Sequence, residues 1–478
     1  MKKKLLFLCV LTLIAVVLTF SACKDKGNKT DELCYDMKVS LEGNVLSGTE
    51  NVSFRNVYAD VITDTVYHLY PNAYSLDAAN PAYKTALETY GGIEIKSVSV
   101  DGEKADFSLS EDKEYLTVRH GEIKKNGSVN TTIEFVTTIP SGDLRLAADG
   151  KSYTLSGFYP QLSVYTDGAF RKDKFSAVGD PAFSGVADYK IEFECDKSLV
   201  IAASAKQGSV VSTSDRQTVT YEGKNIRDFA IVCSPDYNVI NGQANGVNVY
   251  YFYKNDENAQ QTLDLAVNAV KIFGETFGAY PFDTYTVVRA PFVCDGMEYG
   301  GLALVGEKCG DVNDAVIHET AHQWWYGAVG SDCINESYMD EGLTTFTAAY
   351  YYELTGESEK FEKEINAIKR AYMSYERLQK RRNSTVSLSM NRPVYDFTDY
   401  QYTMVEYYKG CMMFENLYAL YGKDKFNACL KKYYEDNKFG FGGKNAFVKA
   451  AKQTMGDVGG LMDGWISGNL VTATFGEE

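Results

Sequence analysis

The run His318-Glu319-Thr320-Ala321-His322 constrains this chain more than any other stretch. On a helix, two residues four positions apart lie one turn from each other on the same face, so both imidazoles can reach one metal ion. Glu319 then lies between them, close to the open side of that ion. The spacing therefore predicts a helical metal site in which His318 and His322 are ligands and Glu319 is the general base of a hydrolase.

A hydrolytic zinc ion needs a third protein ligand and an open fourth position. The other two histidines, His68 and His120, lie far upstream in strand-like sequence, so a carboxylate or thiolate is the expected third ligand. Glu341 follows His322 by 19 positions. A second helix, expected from about Asn335 to Leu354, would run antiparallel to the first and bring Glu341 back against the two histidines.

These residues resemble the zinc site of gluzincins of the aminopeptidase N type, in the runs HETAHQWWYG and MDEGLTTF. Members of that family also carry a G-x-M-E-N loop before the zinc helix and a tyrosine in Y-x-K-G after it. Here Gly296-Met297-Glu298-Tyr299 and Tyr407-Tyr408-Lys409-Gly410 stand in those places. The four features occur in the family's order and cover most of residues 249–412.

The resemblance implies a zinc-dependent aminopeptidase that holds one Zn²⁺ ion and acts on peptides. It assigns catalysis to Glu319 and Tyr407. It assigns substrate binding to Glu298 together with Gly296 and Met297, with Glu298 facing the free amino end of the peptide. The three ligands are the two histidines and the later glutamate named above.

Two departures from the family pattern concern selectivity. Asp295 stands where the family usually has its first glycine, and Tyr299 replaces the usual asparagine. A zinc endopeptidase of the same fold therefore remains an alternative, as does an inactive surface lipoprotein that captures peptides. A purely structural zinc is less expected, because such sites close with four protein ligands. Gln161 is a weak candidate for the family's amine-binding glutamine.

The fold expected is α+β with several domains. Short alternating strands over residues 34–240 predict an N-terminal β-sandwich-like domain. The family resemblance implies that residues 241–478 form a thermolysin-like catalytic domain, mainly helical with a small sheet. Within it, the pattern predicts a strand over 249–253, a helix over 258–277 and a strand over 285–290. The segment Leu302–Val305 is expected to offer an open sheet edge to an extended peptide.

The N-terminus predicts export. Lys2 to Lys4 precede an apolar run, so residues 1–22 are interpreted as a signal peptide. Cys23 follows a lipobox-like run and is expected to carry lipid, with residues 23–33 as a tether to the bacterial membrane. Phe20 stands where such a run usually has leucine, so an ordinary signal peptide remains the alternative. The resemblance is to a short bacterial form without the family's large C-terminal helical domain.

The net charge of −16 argues against a nucleic-acid partner. Cys294 and Cys309 are one candidate disulfide pair.

Overall fold

The structure, a computed structural model, describes residues 33–471 except 77–86, 88, 181–182 and 383–384. It consists of a β-rich unit followed by a mainly helical unit with one five-stranded sheet, which confirms the predicted α+β class. The predicted signal peptide and lipid site at Cys23 lie outside the described residues. No helix among the described residues is both long and apolar enough to cross a membrane.

The β-rich unit is built from strands whose buried and exposed residues alternate. In the first strand, Tyr35, Met37, Val39 and Leu41 face the core while the residues between them face outward. A short 3₁₀ turn, Tyr70–Tyr74, follows the third strand. The strands are β1 Leu33–Glu42, β2 Val45–Arg55, β3 Ile62–His68, β4 Gly92–Val100, β5 Glu103–Lys104, β6 Phe107–Leu109, β7 Tyr115–Ile123, β8 Ser128–Thr138, β9 Leu146–Asp149, β10 Ser152–Ser156, β11 Gln161–Leu162, β12 Tyr165–Thr166, β13 Ala169–Phe170, β14 Ala187–Asp196, β15 Val200–Ala203, β16 Lys206–Ser212, β17 Arg216–Ile226 and β18 Ala230–Ser234.

These strands form packed sheets around one core. The largest has the order β16-β17-β14-β1-β2-β8-β4-β5, and two four-stranded sheets follow the orders β15-β18-β10-β9 and β11-β3-β7-β6. Strand β1 pairs in parallel with β14 and antiparallel with β2. His68 and His120 lie on β3 and β7 of this unit, away from the other two histidines.

The second unit begins with a strand, β19. Its elements are β19 Asn238–Ala244, β20 Val247–Tyr253, α1 Ala259–Phe277, β21 Thr284–Ala290, β22 Gly296–Tyr299, β23 Leu302–Gly306, α2 Val312–Ala321, β24 Val329–Gly330, α3 Glu341–Leu354, α4 Ser358–Arg381, α5 Asp399–Tyr402, α6 Gly410–Tyr421, α7 Lys423–Asn437, β25 Gly440–Phe441, α8 Lys444–Thr454 and α9 Gly459–Ser467. Two π-helical turns, Gln323–Ala328 and Thr403–Lys409, and two 3₁₀ turns, Ser337–Met339 and Val394–Asp396, connect them. The proposed division of the chain at residue 241 falls inside β19 and stays a prediction.

The five-stranded sheet corrects one expectation. Its order is β19-β20-β21-β23-β22, so Leu302–Gly306 is paired on both sides, in parallel with β21 and antiparallel with β22. The segment Leu302–Val305 therefore offers no open edge. The edge belongs to β22, Gly296–Tyr299, because the chain turns back after Tyr299 and inserts the following strand inside it. Local sequence patterns identify strands but do not give their order in the sheet.

A buried arginine joins the two units. Arg227 is 2% exposed and donates hydrogen bonds to the backbone carbonyls of Tyr326, Ser184 and Gly440 at 2.9, 2.6 and 3.0 Å. The neighbouring Asp228 accepts a hydrogen bond from Tyr326 Oη at 2.7 Å. These bonds fix the β-rich unit against the turn that follows α2. Cys294 and Cys309, the candidate disulfide pair, are free thiols.

Candidate active site

Three side chains converge at the end of α2. His318 Nε2 and His322 Nε2 lie 3.1 Å apart, and Glu341 Oε2 lies 3.4 and 3.3 Å from them. The structure therefore brings together the three predicted ligands. Helix α3 starts at Glu341 itself, with a 3₁₀ turn before it, whereas the sequence predicted a helix from about Asn335.

This triangle fits a zinc ion. Tetrahedral ligands about 2.0–2.2 Å from zinc lie about 3.3 Å from each other, which matches the three observed separations. Glu341 Oε2 is buried and has no hydrogen-bond partner among the described residues, as expected of an oxygen reserved for a metal. Two imidazoles and one carboxylate are also the ligand set of hydrolytic zinc sites with an open fourth position.

Asp340 supports one of the predicted ligands, His322. Its Oδ1 lies 2.8 Å from His322 Nδ1, and Trp325 O and Thr344 Oγ1 lie 3.2 Å from the same nitrogen. These acceptors place the ring proton on Nδ1, so the Nε2 lone pair points at the triangle. A carboxylate behind a metal-ligating histidine orients the ring and increases its basicity. Sequence reasoning missed Asp340, although its place directly before Glu341 was a usable signal.

Glu319, the predicted general base, lies beside the triangle. It is 5% exposed, and its Oε2 has no hydrogen-bond partner among the described residues. Burial raises the pKa of Glu319 to about 8, against an opposing effect of His322. A carboxyl with a pKa near neutrality is suited to accept and return a proton.

Gly296 makes room for that carboxylate. A Cβ atom at Gly296 would lie 2.1 Å from Glu319 Oε1, so any larger residue would displace the glutamate. Gly296 was predicted to help bind the substrate, because a glycine lets the backbone approach a ligand closely. The structure adds that it also lies against Glu319.

Strand β22 presents alternate side chains to two environments. Glu298, 3% exposed, shares the cleft-facing side of the strand with Gly296, and its Oε1 has no hydrogen-bond partner among the described residues. Met297 and Tyr299 point the other way into a core between the two units. Of the predicted substrate-binding residues, Met297 can therefore contact a peptide only through its backbone. Tyr299 replaces the family's asparagine without entering the cleft.

Tyr407 is the second of the two predicted catalytic residues. It lies on the second π-helical turn, and its hydroxyl donates a hydrogen bond of 2.5 Å to Glu341 Oε1. Its ring is parallel to that of His318, with the two centroids 6.0 Å apart. Burial raises the pKa of Tyr407 above its ordinary value, so the phenol keeps its proton and remains a donor.

One further acid enters the cleft from the β-rich unit. Carboxylate oxygens of Asp180, Glu298 and Asp340 lie within 4.8 Å of one another, and Asp180 is 3% exposed. Sequence reasoning missed Asp180, because a residue in an irregular segment has no periodicity to reveal where it points. Gln161, the weak candidate from the same unit, instead lies buried on β11 beside Met297 and Tyr299, on the far side of β22.

Comparisons with known proteins agree with this geometry. Residues 261–465 match the Peptidase family M1 domain. Aminopeptidase 2 of Candida albicans is 21% identical over an alignment of 415 residues that covers 78% of this chain and 42% of that protein. Aminopeptidase N of Lactobacillus helveticus is 23% identical over an alignment of 396 residues that covers 78% of this chain and 46% of that protein. The chain thus spans less than half the length of the curated relatives it matches.

Solved structures extend the likeness to the whole fold. The M1 zinc metallopeptidase of Deinococcus radiodurans superposes with a TM-score of 0.70 at 15% identity, covering 94% of this chain and 96% of that one. A mutant of the same enzyme bound to a Tyr-Ser-Ala substrate gives 0.69 at 14% identity, with the same coverage. At such identities the likeness shows a shared fold of two units.

Proposed function

We propose that this chain, which carries a Peptidase family M1 domain at residues 261–465, is a zinc-dependent aminopeptidase that removes N-terminal residues from peptides. One observation carries the proposal: next to the metal triangle of His318, His322 and Glu341 lie two buried acids, Glu319 and Glu298, whose ligand oxygens are within 4.8 Å of each other and of the His322 ring nitrogen. Glu298 belongs to a strand at an open sheet edge. A bound zinc ion supplies Lewis acidity, which makes water a nucleophile near neutral pH and polarises a carbonyl group.

The chain's own residues perform the proton transfers. We assign Glu319 to take a proton from the attacking water and to return it to the leaving amine. The Tyr407 hydroxyl donates a hydrogen bond to Glu341 in this structure. We assign it to donate instead to the carbonyl oxygen of the substrate as negative charge builds on that oxygen. Such a donor commonly contributes about 3 kcal/mol to the stability of the transition state.

The open edge and Glu298 favour an exopeptidase. An extended peptide can pair with the backbone of β22, which has a neighbour on one side only. Glu298 lies on that strand and carries a buried oxygen without a partner among the described residues, so it is placed to accept the α-ammonium of the first residue. Because Glu298 would hold the amino end of the peptide, the first peptide bond is the one that would lie next to Glu319. This geometry supports removal of single N-terminal residues.

Hydrolysis of aminoacyl chromogenic amides tests this function. The wild-type chain is expected to cleave the free-amine substrates and to lose that activity when zinc is chelated. N-acetylated versions of the same amides are the matched controls and should be cleaved far more slowly. Equal rates on both would favour the endopeptidase alternative. Binding of peptides without any hydrolysis would favour the peptide-capturing alternative.

We also propose that the chain is exported and held at a bacterial membrane through lipid on Cys23. The support is the basic start, the apolar run to Phe20 and the Ser21-Ala22-Cys23 site, all of which lie outside the described residues. Metabolic labelling with a radioactive fatty acid is expected to mark the wild-type chain and to leave the Cys23→Ser variant unlabelled. Equal labelling of both would contradict this assignment.

A further inference from the structure

Lys409 is a fully buried lysine two residues after Tyr407, on the same π-helical turn. Its Nζ donates a hydrogen bond of 2.8 Å to the carbonyl of Leu388, in the irregular segment between α4 and the 3₁₀ turn Val394–Asp396. The roles proposed above for the site do not involve this lysine. A buried ammonium group requires a physical reason, because its removal from water is costly.

The segment that accepts the Lys409 hydrogen bond is itself fixed to α9. The amide of Met390 donates to the carbonyl of Ile466, a residue of that helix, at 2.9 Å. Gly468 follows the helix and packs against the ammonium group, since a Cβ atom there would lie 3.6 Å from Nζ. Lys409 therefore connects the turn that carries Tyr407 to a segment anchored on α9.

A buried acid lies on the same turn. Glu406, directly before Tyr407, is 1% exposed, and neither of its carboxylate oxygens has a hydrogen-bond partner among the described residues. Burial raises the pKa of Glu406, whereas the positive charges of Lys409 and Arg392 oppose that shift. Burial lowers the pKa of Lys409 to about 8, against an opposing effect of Glu406. Each of the two side chains thus stabilises the charged form of the other.

Arg392 adds a second cation from the irregular segment. Its Nη1 and Nε donate to the carbonyls of Asp396 and Ser389 at 2.9 and 3.3 Å, and its guanidinium lies 3.6 Å from the centroid of the Phe397 ring. Its Nη2 is buried and has no hydrogen-bond partner in the described part of the chain. Burial lowers the pKa of Arg392, and Glu406 opposes that shift. Arg392 therefore belongs to the same cluster of buried charges.

The turn that carries Tyr407 needs support from outside itself. π-Helical turns are rare and occur mostly at functional sites, so contacts with other segments must select one here. Tyr407 lies between Glu406 and Lys409 in the sequence, and its hydroxyl meets Glu341 at 2.5 Å. A small shift of the turn would therefore move the phenol relative to the metal triangle.

We propose that this cluster of buried charges positions Tyr407. Lys409 holds the π-helical turn on the segment anchored to α9, and Glu406 and Arg392 balance the buried charge that this requires. The phenol then reaches the metal triangle at the distance observed. This inference rests on the proposed aminopeptidase function and extends it to residues outside the metal triangle.

Lys409→Met tests the positioning role, because it removes the charge and the hydrogen bond but keeps the length of the side chain. It is expected to lower kcat for an aminoacyl amide by about 10-fold or more, with KM near the wild-type value, since a misplaced catalytic group costs rate and not binding. Lys409→Arg keeps the charge and a donor and should retain more of kcat. In the Tyr407→Phe background, Lys409→Met should lower kcat less than about twofold, because the positioned hydroxyl is already absent.

Lys369→Met is the matched control. Lys369 is 4% exposed and its Nζ lies 3.1 Å from Glu415, so it is also a buried and paired lysine, but it lies on α4 and not on the π-helical turn. The control should lower the unfolding midpoint and leave kcat at the wild-type value. Thermal unfolding of each variant checks that it is folded. If Lys409→Met does not fold, Glu406→Gln should show the same loss of kcat and the same dependence on Tyr407.

An unchanged kcat in folded Lys409→Met would overturn the inference. So would an equal loss of kcat in the wild-type and Tyr407→Phe backgrounds, because the cluster would then not act through the phenol. A loss of kcat in Lys369→Met as large as that in Lys409→Met would reduce the effect to general instability. Failure of the proposed function is a separate result, because it shows as absence of aminoacyl amide hydrolysis by the wild-type chain.

Discussion

Gly342 and Gly410 lie in direct backbone contact: a Cβ atom on either would be 2.8 Å from the Cα atom of the other. Gly342 follows the proposed ligand Glu341, and Gly410 lies three residues after Tyr407. This contact between α3 and the start of α6 therefore determines how closely the phenol approaches the metal triangle. The 2.5 Å hydrogen bond from Tyr407 to Glu341 depends on it.

Gly410→Ala is expected to move the two elements apart by about 1 Å, the shortfall between 2.8 Å and an ordinary carbon contact. A displacement of that size should lower kcat by about 10- to 100-fold, with KM and zinc content near their wild-type values. Gly460→Ala is the control, because Gly460 lies on α9 with open space around its Cα. Equal kcat in Gly410→Ala and the wild type would show that the spacing is not critical.

Glu319→Gln is expected to retain zinc and to lower kcat by about 1000-fold. The amide has nearly the same shape as the carboxylate but cannot accept the proton of the attacking water. The measurement is steady-state hydrolysis of an aminoacyl amide alongside elemental analysis of the same sample. Activity within a few-fold of the wild type would remove Glu319 from its assigned role.

Tyr407→Phe is expected to lower kcat by about 100-fold, or about 3 kcal/mol of transition-state stabilisation, with a smaller change in KM. The hydroxyl is assigned a bond that strengthens only as charge builds on the carbonyl oxygen. Tyr408→Phe, at the next and half-buried position, is the control and should retain wild-type kcat. A change confined to KM in Tyr407→Phe would instead indicate a role in substrate binding.

Asp228, buried between the two units, is expected to make stability depend on pH. Burial raises the pKa of Asp228 to about 6 in the folded chain, above the ordinary value of 3.8. The folded state therefore binds this proton more tightly than the unfolded chain. The resulting stability is fully present below pH 3.8 and is lost as the pH rises through 6.

Between pH 4 and 7 this group should lower the free energy of unfolding by about 3 kcal/mol. Asp228→Asn cannot titrate there, so the difference in unfolding midpoint between wild type and variant should change with pH. The variant's Oδ1 can still accept the hydrogen bond from Tyr326. A difference that is constant across this range would contradict the assignment.

The residues that the sequence identified are those whose spacing along one element determines their geometry. His318 and His322 are four positions apart on α2, and Glu341 starts the helix expected to return to them. Alternating residues likewise predicted the strands of the β-rich unit. Each of these signals is local, because it depends on the period of a helix or a strand.

The features that the sequence did not reveal depend on contacts between distant segments. Asp180 reaches Glu298 only because the β-rich unit packs against the second unit, and Gly410 meets Gly342 across two elements. The open edge of the five-stranded sheet lies at β22 and not at Leu302–Val305, because the strand order places β23 inside the sheet. The π-helical turn that carries Tyr407 has no propensity pattern of its own. Such features can be identified only from the tertiary structure.

Zinc binding by the purified chain tests the central claim most directly. After removal of metal with a chelator, calorimetric titration with zinc is expected to show one tight site per chain in the wild type and in His120→Ala, whose histidine lies on β7. His318→Ala should lose that site, and added zinc should restore hydrolysis in the wild type and in His120→Ala but not in His318→Ala. Zinc binding that is absent from the wild type, or unaffected in His318→Ala, would contradict the account.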